Sequence, residues 1–138
     1  TGEDTQSLME IVARENAAIN SGDRSGAIRL AGEFHVRLAQ VARNRPIQDL
    51  LRQLVAQSSL ALALYEAPGH LLCVDDDHIN IVNAVSAGAA EKSRDLMAHH
   101  LDKAEAEMKL DTPNSPDDLK AVFADVIEAR QTEPRQGA

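Results

Sequence analysis

Apolar residues recur along the chain at three- and four-residue intervals, and turn-forming residues cut that repeat into six segments. The first runs from about Thr5 to Asn20, with Leu8, Ile11, Val12, Glu15 and Ile19 at helical spacing, and Ser21-Gly22 closes it. The second is capped by Asp23 and reaches about Arg43. Its inward stripe reads Ile28, Ala31, Phe34, His35, Leu38 and Ala42, and Asn44 is the expected left-handed terminator. Pro46 lies in the first turn of the third segment, whose stripe is Ile47, Leu50, Leu51, Leu54, Val55, Ser58, Ala61, Leu62 and Tyr65. Ala67-Pro68-Gly69 then breaks the chain, and a loop is expected as far as Cys73. The fourth segment runs from about Asp75 to Ala87-Gly88, with His78, Ile81, Val82 and Val85 on one face. The fifth, about Ala89 to Leu110, aligns Ser93, Leu96, Met97, His100 and Ala104. The sixth opens on Ser115-Pro116-Asp117-Asp118 and carries Leu119, Val122, Phe123 and Val126 on its inner face. No strand pattern or internal repeat interrupts this order. The expected fold is all-α, an antiparallel bundle of about six helices over residues 1–130 with a polar tail at 131–138.

Composition sharpens the picture. Apolar residues make up 43% of the 138, and aromatics only 2%, so the core must be built from Leu, Ile, Val, Ala and Met. That mixture favours helices. A net charge of −8 opposes binding to phosphate backbones or anionic membranes, both of which need clustered Lys and Arg. No apolar run reaches membrane-spanning length, and no signal peptide opens the chain. The single cysteine excludes an internal disulfide and fits a reducing compartment, so a cytoplasmic location is expected. The chain opens on Thr1 rather than Met, and a region upstream is expected.

Three histidines carry the candidate chemistry. His35, His78 and His100 each fall on the apolar face of a different segment. One such residue alone would read as an ordinary core histidine. Three on inward faces of one small bundle point to a shared metal, because neutral imidazole is the commonest protein ligand for metals. His99 lies about 100° from His100 on the same helix and aligns with Asp95 and Lys103, an exposed line. His70 falls in the Pro-Gly loop, and Cys73 reads as a small buried hydrophobe rather than a fourth ligand. Asp75, Asp76 and Asp77 suit a helix start, with a carboxylate that joins the metal or orients a ligating imidazole as their functional alternative. There is no phosphate-binding glycine loop, no CxxC and no HExxH. No inward acid clearly accompanies the histidines as a general base.

With these positions laid out, the chain resembles the C-terminal effector domain of GntR-type bacterial transcription regulators of the FadR subfamily, the FCD domain. The matching residues are Phe34-His35 followed by Leu38 and Asn44, then Asp77-His78 leading into Ile81-Val82-Asn83-Ala84 and Gly88. Leu96-Met97-Ala98-His99-His100-Leu101 corresponds to the family's closing Met-x-x-His-Leu pattern. The likeness covers roughly Leu8 to Leu110. It implies a helical bundle around a metal and a small effector, with His35, His78 and His100 as ligands. The family's further ligand, an Asp four residues before the first histidine, is Ala31 here.

The resemblance further implies a ligand-sensing regulatory domain rather than an enzyme. A divalent transition metal, zinc or nickel, would receive a small carboxylic-acid effector, with Ser58, Ser59 and Asn83 as candidate contacts. The domain would form a homodimer and reach DNA only through a winged helix-turn-helix absent from this chain. Two alternatives stand beside this reading: a small three-histidine metal-dependent hydrolase, and a dimerisation domain with a vestigial, metal-free pocket.

Overall fold

A computed structural model describes residues 2–65 and 77–107. They form five α-helices: α1 (Gly2–Ser21), α2 (Arg24–Val41), α3 (Arg45–Tyr65), α4 (Asp77–Ser86) and α5 (Ala90–Glu107). Among the described residues there is no strand, as the apolar spacing requires. The expected sixth helix, His70 and Cys73 lie outside the described residues. No described helix is long and apolar enough to cross a membrane.

Two helical hairpins share one turn design. Gly22 (φ +75°) and Gly88 (φ +68°) both take the left-handed conformation that side chains with a Cβ resist. At the first, Asp23 N–H donates to Ala18 O at 2.9 Å and Gly22 N–H to Ile19 O at 3.0 Å. At the second, Ala89 N–H donates to Ala84 O and Gly88 N–H to Val85 O, both at 3.0 Å. These paired bonds satisfy the last carbonyls of α1 and α4 and turn the chain straight into the next helix. Asp23 then caps α2, its Oδ1 accepting from Gly26 N–H at 2.9 Å.

The end of α2 differs from the expected arrangement. Arg43, not Asn44, has the positive φ, 54°. Asn44 instead begins the following helix, its Oδ1 accepting from Ile47 N–H at 3.3 Å. Both roles suit asparagine, because its short side chain mimics a backbone acceptor.

The two hairpins pack through α1 and α4, and α3 lies on the outer side of α2. The core is the seam between them: Leu8, Ile11, Val12 and Ala18 of α1, Ala27, Leu30 and Phe34 of α2, and Ile81 and Val82 of α4. Arg37 of α2 ties back to α1, with Nε donating to Ser7 Oγ at 2.8 Å and Nη2 to Asp4 Oδ1 at 3.1 Å. The stripe of α3 is only partly covered: Ile47, Leu50 and Leu54 are exposed, Leu50 at 55%. Ala42, placed inward by the sequence pattern, is also exposed, because it lies past the last turn of α2.

Candidate metal centre

Each histidine arrives from a different helix. The stripe that buries Phe34 in the core turns its neighbour His35 towards α4 and α5, with part of its edge still accessible. His78 occupies the first turn of α4 and is 2% exposed; His100 lies in the third turn of α5 and is 5% exposed. The three rings meet. Their centroids are 5.2 Å apart for His35–His78, 5.3 Å for His35–His100 and 4.6 Å for His78–His100. Each offers one nitrogen, and the three nitrogens lie within 4.8 Å of one another. Phe34 forms the floor, stacked on His78 with centroids 4.1 Å apart and planes at 28°.

The closest approach is between His78 Nε2 and His100 Nε2, 3.2 Å apart. On its opposite edge, His78 Nδ1 is 2.7 Å from Glu15 Oε2 of α1. Glu15 is 1% exposed, and its other oxygen, Oε1, has no hydrogen-bond partner. His100 Nδ1 faces Asp77 Oδ2 at 3.5 Å, and Lys103 Nζ lies 3.7 Å from the same oxygen. The acid missing from the sequence reading is therefore present. Glu15 stood in the inward stripe of the first segment, where a charged residue among Leu8, Ile11, Val12 and Ile19 signals a buried partner.

Burial, reinforced by His78 and His100, lowers the pKa of His35 to about 3. Burial and then His78 also lower that of His100, against an opposing pull from Asp77. Both imidazoles are thus neutral at neutral pH, the form in which they can donate a lone pair to a cation. The donor set fits a divalent transition metal on a second count. Two nitrogens bound to a tetrahedral ion lie about 3.4 Å apart, close to the 3.2 Å between His78 Nε2 and His100 Nε2.

A family model for the FCD domain matches residues 1–103. The chain belongs to the FCD-domain family. This is the C-terminal domain of GntR-family, FadR-like regulators, and FCD domains are regulatory effector-binding domains of transcription factors. No curated protein and no solved structure matches the chain. This FCD domain has Ala31 on α2 four residues before His35, a side chain that offers no ligand atom.

The other candidate residues are placed differently. His99 is exposed, on the line expected for it. Ser58 is exposed too, and its Oγ donates to Leu54 O at 2.8 Å, one turn back on its own helix. Asn83 is exposed rather than inward, whereas Ser59 is half-buried. An apolar cleft of about 310 Å³ opens between α2, α4 and α5, lined chiefly by Leu38, Val41, Ile81, Val85 and Met97 with Arg94 at its edge. Leu38, Ile81 and Met97 are each three residues, close to one helical turn, from a histidine of the cluster.

Proposed function

We propose that this FCD domain senses a small carboxylic acid at a divalent metal held by His35, His78 and His100. The observation that carries the reading is the meeting of three imidazole nitrogens from α2, α4 and α5 within 4.8 Å. Position 31 supplies no ligand, so three histidines leave at least one coordination position for an outside oxygen. A carboxylate there exchanges its hydration for a cation in a largely buried site. The carbon skeleton of the acid would lie along the cleft one turn away, against Leu38, Ile81 and Met97. Ser59, and Ser58 and Asn83 from the surface, are secondary candidates for polar contacts. Binding shifts the population between arrangements of a homodimer, and with it the spacing of DNA-binding domains carried by the same regulator.

The test is a thermal-shift screen of small carboxylic acids on the zinc-loaded chain. Short apolar acids should raise the melting temperature. The shift should disappear after chelation and in His78→Ala and His100→Ala variants that remain folded. A response that survives chelation would leave a sensor without a metal, and turnover of a hydrolase substrate panel that depends on His35 would favour an enzyme.

A further inference from the structure

We propose that Glu15 is a positioning residue for the metal centre: it holds His78 in the Nδ1–H tautomer and so turns the Nε2 lone pair to the point where the three imidazoles meet. Asp77 faces His100 more loosely, at 3.5 Å and without a hydrogen bond to its Oδ2. The inference rests on the metal reading above and adds the device that orients its ligands.

The geometry assigns the roles. An imidazole has two nitrogens on different edges, and a partner on one fixes what the other can do. The carboxylate of Glu15 lies 2.7 Å from Nδ1 of His78, so that nitrogen carries the proton and donates it. Nε2 is then an acceptor, and it is the atom that faces His100. Glu15 itself does not join the group of nitrogens that meet within 4.8 Å; that group comprises the three histidines alone. It therefore acts through His78 rather than on the metal. The contact at His100 is longer, 3.5 Å from Nδ1 to Asp77 Oδ2, and Lys103 shares that oxygen. With the His78 proton drawn to Nδ1, its Nε2 lone pair faces His100 Nε2 at 3.2 Å, and where His100 also carries its proton on Nδ1 two lone pairs face each other. That arrangement is repulsive unless a cation lies between them.

Glu15 supplies a second sign. Its Oε1 is buried without a hydrogen-bond partner. An orphaned carboxylate oxygen is costly inside a protein. A divalent cation on the far side of the imidazole would provide the compensating charge through the hydrogen bond, as metal-bound histidines with carboxylate partners commonly do.

The experiment uses the full chain and four proteins: wild type, Glu15→Gln, Glu15→Ala and Asp77→Asn. Zinc affinity is read by competition with a chromophoric chelator, and folding by circular dichroism. Histidine tautomers are read by long-range ¹H–¹⁵N correlation in the metal-free and zinc-loaded wild type. His78 should carry its proton on Nδ1 in both states. The Glu15 variants should bind zinc about 10- to 100-fold more weakly, and Asp77→Asn should show a smaller loss. A proton on Nε2 of His78 would overturn the inference, and so would unchanged affinity in folded Glu15 variants. If those variants do not fold, the wild-type tautomer decides alone. Absence of zinc binding by the wild type would instead overturn the metal reading, and with it the purpose assigned to Glu15.

Discussion

His35 is held near a pKa of 3 by burial and by two neighbouring imidazoles, and His100 is lowered for the same leading reason. In the unfolded chain both would titrate near 6.5. Between those values the unfolded state binds more protons than the folded one, so stability rises with pH. The His35 contribution is complete above about pH 6.5 and is lost as the pH falls towards 3. Urea unfolding of the metal-free chain between pH 7 and pH 4 should show stability falling, with a slope approaching about 1.4 kcal/mol per pH unit from His35 and a further contribution of the same sign from His100. His35→Ala should flatten part of that slope. A wild-type profile that is level from pH 7 to pH 4 would contradict the burial described for these rings. The same depressed affinities favour a metal over a proton at His35 and His100.

At the scale of the helix, the two hairpins depend on one backbone conformation each. Gly88→Ala places a Cβ at φ +68° with no other atom within 4 Å, so its effect isolates backbone strain. It should destabilise the chain by about 1–2 kcal/mol. Asp23→Ala removes the acceptor for Gly26 N–H and should cost about 1 kcal/mol. Equilibrium urea denaturation measures both. The helices themselves were legible in the sequence because period and punctuation agreed: the end of α1, both ends of α2, the start of α3, the end of α4 and the start of α5 lie within three residues of the breaks at Ser21-Gly22, Asn44-Pro46 and Ala87-Gly88. The inward histidines were legible for the same reason. Glu15 was legible as an inward acid but its pairing with His78 was not, since periodicity marks a face but says nothing of the residue opposite, and its partner is 63 positions away. Asn83 and Ser58 lie on the surface rather than inward: a polar residue beside a stripe reads as inward whenever the stripe is drawn too wide. In α4 the face is set by His78, Ile81 and Val82, and Asn83 lies a further step round it. In α3 the stripe is broader than the area α2 covers, which leaves Leu50 and Leu54 exposed.

At the scale of the molecule, the described helices are joined in series, α3 to α2 to α1 to α4 to α5. The centre departs from that order. It joins α2 to α5 directly through His35 and His100, and through Glu15 it also takes in α1. Contacts between residues this far apart in sequence carry a loop-closure cost that must be met before they stabilise the chain. A metal placed there should behave as a latch rather than a template. At zinc concentrations about 100 times Kd, the folded state gains about 2.7 kcal/mol. If the centre is still open in the transition state, nearly all of that gain appears as slower unfolding, about 100-fold, with the refolding rate little changed. Stopped-flow chevrons with and without zinc would separate the two limbs, and a comparable rise in the refolding rate would mean that the histidines meet early. The latch would also set a clock: if metal release requires the same opening, the domain leaves its metal-bound form on that timescale, and loss of the signal lags behind any fall in free metal.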